Sequence, residues 1–170
     1  MSKEPEEIIE AQLVALIADA ITAVDVLGAL TPVQEGARKL SPDTYVAVFV
    51  DQAGQRYYGD DTVVPCDYAA RVTVHAAFAD DKTGTLFRDL CRAVRDVLES
   101  ARMTHSTALA ADGFECDAFR LDSTQTEPDT SADNGGMAKT YSATVTGRYT
   151  PPPPQSDEEE PTQEQETQGE

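Results

Sequence analysis

The sequence predicts an α+β fold: two helices packed on one face of a mixed, mostly antiparallel four- to five-stranded sheet. The first observation is a change of apolar period inside residues 71–98. Val72, Val74, Ala76 and Phe78 alternate with Arg71, Thr73 and His75, as in a half-buried strand. After a polar break at 80–84, Leu86, Phe87, Leu90, Cys91, Val94, Val97 and Leu98 recur at three- and four-residue spacing and share one helix face. Arg88, Asp89, Arg92, Arg95, Asp96 and Glu99 take the other face. The second observation is the last strand, where Tyr141, Ala143, Val145 and Tyr149 alternate with Thr140, Ser142, Thr144, Thr146 and Arg148. The third is the run Tyr45-Val46-Ala47-Val48-Phe49-Val50, apolar on both sides and so expected to be covered twice, by its own chain or by a neighbouring subunit.

Taken in order, the chain opens with Pro5, Glu6 and Glu7, which suit a helix start because acidic side chains favour the positive end of the helix dipole. Ile9, Leu13, Leu16, Ile17, Ala20, Ile21 and Val24 mark its apolar face, and Gly28 and Pro32 should end it. Residues 36–42 read as a connection carrying Arg38 and Lys39. Ala53-Gly54 reads as a hairpin turn from the 45–50 strand into 55–58, and 59–65 as a polar loop. Beyond the second helix, 104–113 is expected to connect to a weak strand at 114–122, with a right-handed crossover as the default. Residues 123–137, with Pro128, Asp129, Asp133, Asn134, Gly135 and Gly136, read as a long polar loop, of a length that is usually functional or disordered. Residues 1–150 are thus expected to form a single α+β domain. Residues 151–170 start with four prolines and then hold no apolar residue to bury, so a disordered Pro-rich and acidic tail is expected.

Charge narrows the function classes. The 170 residues hold 31 acidic and 13 basic side chains, a formal net charge of −18. Seven of the acids lie beyond Gln155, with no base among them, so the remainder still carries −11. Such a surface repels nucleic acid, whose binding proteins neutralise phosphates with Lys and Arg. The same excess also serves solubility. Cys66, Cys91 and Cys116 form no CxxC pair, and with only His75 and His105 beside them a structural zinc site is not expected. No apolar run approaches the roughly 18–20 residues that span a bilayer, and the acidic start is unlike a secretory signal. An intracellular protein with no membrane partner is the expectation.

One segment invites an enzymatic alternative. Asp81-Lys82-Thr83-Gly84-Thr85-Leu86 matches the phosphorylation motif of P-type ATPases and the wider haloacid-dehalogenase-like phosphotransferases, where a strand-end aspartate accepts a phosphoryl group. An aspartate-based phosphohydrolase using Asp81 is the runner-up function on that basis. Against it, Phe87 departs from the family pattern, no Gly-Asp-Gly-type metal loop follows, and Lys139 is the only later lysine. Thr83 or Thr85 capping the helix, with Gly84 shaping the turn, explains the same residues without chemistry. His75 with Asp80 or Asp81 lacks a nucleophile, and a surface histidine is the plainer expectation. Glu115, Asp117 and Asp122 read as a solvated acidic edge more readily than as a cation site. Tyr57, Tyr58, Tyr141 and Tyr149 read as packing residues. No catalytic residue, cofactor or metal is expected.

The order of elements resembles a known family. A leading helix, a hairpin, the 70–79 strand feeding the 86–98 helix, Phe119-Arg120-Leu121, the 123–137 loop and the 141–149 strand are together similar to the tail terminator (tail completion) proteins of long-tailed bacteriophages, over roughly residues 8–150. The resemblance implies a structural virion protein of the tail or neck, assembled in the host bacterial cytoplasm. It implies a ring of identical subunits, usually a hexamer, that caps the tail tube, joins it to the head–tail connector and lets DNA pass through its lumen without specific binding. Another neck or head–tail adaptor protein is the alternative within that class. Glu127, Asp129, Asp133, Asn134 and Met137 are the expected interface or lumen residues.

Overall fold

The computed structural model describes residues 3–23, 33–35, 44–54, 65–129 and 135–151. The chain runs α1 (Pro5–Thr22), β1 (Val33–Glu35), β2 (Tyr45–Gly54), β3 (Cys66–Ala77), α2 (Thr85–Ala108), β4 (Phe114–Asp129) and β5 (Gly136–Tyr149). The strands form one five-stranded sheet in the order β1-β2-β3-β5-β4. All neighbours are antiparallel except the short β1, which lies parallel to β2. Both helices pack on the same face, α1 over β1 and β2, α2 over β3 and β4. The α+β architecture read from the sequence is the one observed.

α1 starts as its composition requires. Pro5 sits at the first helical position, where no backbone donor is needed, and the Glu7 carboxylate accepts the Glu4 N–H at 3.3 Å. Ile8, Ile9, Leu13, Ile17 and Ile21 form its buried stripe. The helix ends at Thr22; Val24 and the expected stop at Gly28 and Pro32 lie outside the described residues, as do the 36–42 connection with Arg38 and Lys39 and the 55–58 strand. Instead of turning at Ala53-Gly54, β2 continues through Gly54, which pairs with Asp67 of β3.

The sheet supplies the other half of the core. Val46, Val48 and Val50 of β2, Tyr68, Ala70, Val72 and Val74 of β3, and Tyr141, Ala143 and Val145 of β5 are all buried beneath the helices. Leu90, Val94, Leu98 and Ala101 of α2 close over them. Tyr68 meets Phe114 of β4 edge to face, ring centres 5.7 Å apart, binding two strands that do not pair directly.

Several expectations need correction. Phe78 is 54% exposed, because β3 ends at Ala77 and Phe78 enters the turn beyond it. His75, expected at the surface, is buried for reasons given below. Residues 104–108 continue α2 instead of connecting it onward; the helix kinks at Thr104 (φ −121°, ψ 22°), whose hydroxyl bonds back to the Ser100 carbonyl at 3.0 Å.

The largest correction concerns 123–137. β4 runs to Asp129 and β5 starts at Gly136, so most of the expected loop is sheet. Residues 122–128 are exposed on both faces, which leaves no apolar alternation to read, and two bulges blur the part of the strand before them. The register shifts between Cys116 and Ala118 and again between Leu121 and Ser123, so alternation is rephased twice within one strand.

Gly147 marks a close approach. A methyl group there would collide with the Phe114 ring and the Glu115 carbonyl of β4. Gly147→Ala should therefore destabilise the fold by about 1–3 kcal/mol, the usual range for overpacking, as a lower urea midpoint at unchanged m-value.

Candidate assembly surface

The turn between β3 and α2 gives Asp81 a structural role. Its carboxylate is nearly buried and accepts two backbone N–H groups of the first turn of α2: Leu86 at 3.2 Å on Oδ1 and Phe87 at 2.8 Å on Oδ2. These donors have no partner inside the helix, and a carboxylate at this end also complements the dipole. Asp81 therefore does the capping expected of Thr83 or Thr85, whose hydroxyls bond each other at 3.0 Å. Gly84 holds φ 73°, the left-handed conformation that the entry to the helix demands. Asp80 accepts the Thr44 hydroxyl at 2.8 Å, and Thr44 in turn accepts the Ala77 N–H, fastening the turn to the start of β2. An acid a few residues ahead of an apolar helical stripe was the sequence signal for this cap.

The sheet face away from the helices is a polar lattice. Thr73 and Thr140 hydroxyls meet at 3.2 Å, and Thr146 donates to Asp67 at 2.6 Å. Thr144 and Arg120 both donate to Asp122, each at 2.6 Å, and these bonds hold its carboxyl below the usual range. Arg148 bridges Asp117 at 2.8 Å and Glu115 at 3.5 Å. The acidic edge is thus cross-linked by arginines, and no group of three or more His, Cys, Asp or Glu able to hold a metal ion occurs among the described residues. Arg71 lies 5.0 Å from the centre of the Phe49 ring. The doubly apolar β2 accordingly finds its second cover within its own chain, at Phe49 under Arg71 and at Tyr45 against His75.

The expected interface residues divide between strands. Glu127 and Asp129 lie on β4 and Met137 on β5, while Asp133 and Asn134 lie outside the described residues. Glu127 is exposed, and Met137 is half-buried on the helix side of the sheet. Asp129 reaches inward, its Oδ2 3.1 Å from His75 Nε2, and the His75 ring stacks on Tyr45 with centres 5.0 Å apart. Burial, then the Asp129 charge, raises the Tyr45 hydroxyl pKa. Gly136 makes room for this cluster, since a Cβ there would fall 2.8 Å from His75 Nε2. Sequence reasoning missed it because its members are far apart in the chain and meet only through the β4–β5 register. Tyr141 and Tyr149 do pack as expected, donating to the Cys91 carbonyl at 2.9 Å and the Lys3 carbonyl at 3.0 Å.

No protein-family model matches the chain, and no curated protein is significantly similar to it. Among solved structures, a chain described as "Virion of native gene transfer agent (GTA) particle" aligns over 82% of this chain and 98% of its own, at 18% identity and a TM-score of 0.51. The two share a fold. A second solved chain, 16% identical over 86% of this chain and 97% of its own, aligns with a TM-score of 0.47, too loosely to bear on the fold.

Two outcomes are expected. Asp81→Ala should cost about 0.5–2 kcal/mol of stability, the range for losing a helix cap, measured by urea unfolding. Burial pushes the Cys116 thiol up from 9.0 to about 11. The folded thiol keeps its proton where the unfolded one gives it up, so Cys116 should lower stability progressively as pH rises from 9 towards 11. Iodoacetamide at pH 8 should label Cys116 far more slowly in native than in urea-unfolded protein.

Proposed function

We propose that the protein is a structural subunit of a phage-like particle, a tail terminator that closes into a ring, six-fold by preference, at the end of the tail tube. The observation that carries this reading is the fold shared with almost the whole of a chain from a gene transfer agent virion. The net charge of −18 supports it from an independent side, because an acidic lumen lets DNA slide without adhering. In this reading one surface of the ring meets the tail tube protein and the other the head–tail connector, and the protein works in the virion tail or neck after assembly in the bacterial cytoplasm. Glu127 and Asp129 at the end of β4 and Met137 at the start of β5, together with Asp133 and Asn134, which lie outside the described residues, form the contact or lumen region. The protein acts without catalysis or cofactor.

The capping bonds of Asp81 account for the strand–acid–helix segment without phosphohydrolase chemistry, which favours the structural reading over that alternative. Asp81→Asn should leave any magnesium-dependent phosphoester turnover at background, as in the wild type.

Electron microscopy of the purified protein, alone and with tail tubes of the same particle, should show rings with a central hole or capped tube ends. A protein that stays monomeric by light scattering at every concentration and leaves tube ends bare would overturn the ring. Rings that bind only the connector would place it among the other neck adaptors.

A further inference from the structure

The two borders of the sheet are treated differently. On the β2 side, β1 covers part of the strand and the Glu10 carboxylate of α1 accepts the Val50 N–H at 3.1 Å. On the other side, among the described residues, β4 is the last strand for its whole length, and residues 122–128 are exposed on both faces.

The direction of its unused backbone groups follows from the ladder. Phe78 N–H donates to the Gly135 carbonyl at 2.9 Å, which makes 135 face β3. Facing alternates along an antiparallel strand, so Met137, Lys139 and Tyr141 also bond to β3, while Gly136, Ala138, Thr140 and Ser142 bond to β4. Their partners Asp129, Glu127, Gln125 and Ser123 are thereby used. Thr124, Thr126 and Pro128 point their backbone outward. Pro128 agrees independently, because proline is tolerated in a strand only where no ladder N–H is required.

A free edge is a template for another strand. Here the bulge at Leu121/Ser123 and Pro128 bracket a window of unbroken register, Ser123-Thr124-Gln125-Thr126-Glu127, with a single charge. The window is complementary to itself. Antiparallel pairing about a two-fold axis at Gln125 sets Thr124 of each copy against Thr126 of the other, both with outward groups, and sets Glu127 against Ser123, so no like charges face.

We propose that β4 pairs with β4 of a second copy across this two-fold axis, joining two sheets edge to edge in a weak, concentration-dependent dimer. The contact uses the same surface twice and so cannot by itself close a ring; it stands apart from the ring reading.

Thr126→Pro removes an outward N–H and no ladder bond, so the variant should keep wild-type circular dichroism and melting. It should weaken self-association at least about tenfold by sedimentation velocity over a wide concentration series. Hydrogen exchange of Thr124 and Thr126 should slow as wild-type concentration rises. Because Gln125 faces its own copy in a non-bonded pair, where Cα atoms approach to about 4.5 Å, Gln125→Cys should form a 125–125 disulfide under mild oxidation, mapped by mass spectrometry. A wild-type monomer at all concentrations overturns the proposal, as does undiminished association of folded Thr126→Pro. Absence of the 125–125 bridge while Thr124 and Thr126 become protected also overturns it, and would assign the edge to a head-to-tail neighbour or another protein; ring images alone bear on the function reading and not on this one.

Discussion

The position of β5 governs the rest of the molecule. It is the last strand in the chain yet pairs on both sides along its length, with β3 and with β4. Both neighbours run opposite to it, so β3 and β4 run parallel with one strand between them. α2 must therefore carry the chain from one end of the sheet to the other, and its buried stripe of Leu90, Val94, Leu98 and Ala101 covers the ground it crosses. Until β5 is in place, β4 has no strand to pair with among the described residues, and the Tyr68–Phe114 contact has no strand beneath it to hold its spacing.

What could be read from the sequence follows from how each side chain meets its surroundings. β5 and α2 were legible because each has one wet side and one dry side, so polarity repeats with the period of the backbone. β4 beyond Asp122 was not, since both of its sides are wet, and nearer its start two bulges reset the count. His75 sits in the polar column of β3, as the alternation said. Its burial depends on Tyr45 and Asp129, thirty and fifty-four positions away in the chain, and no local rule reports on partners that distant. Among the expected interface residues, Asp129 turned out to be tied into the sheet while Glu127 faces solvent.

Asp81 shows how a short pattern of residues can serve two ends. A strand, an acid, a glycine-bearing turn and a helix are what a phosphoryl-accepting site needs, and also what a well-capped helix needs. The geometry shows the second use at work: each oxygen of the carboxylate accepts a backbone donor from the first turn of the helix.

The bond from Glu10 to Val50 gives α1 a second duty besides filling the core. The leading helix works as a doorstop on the far margin of the sheet, holding by one carboxylate a donor that would otherwise invite a stranger. A preparation shortened at its front end would lose that stopper together with the isoleucine stripe, leaving the Val50 donor and the apolar underside of β2 open at once.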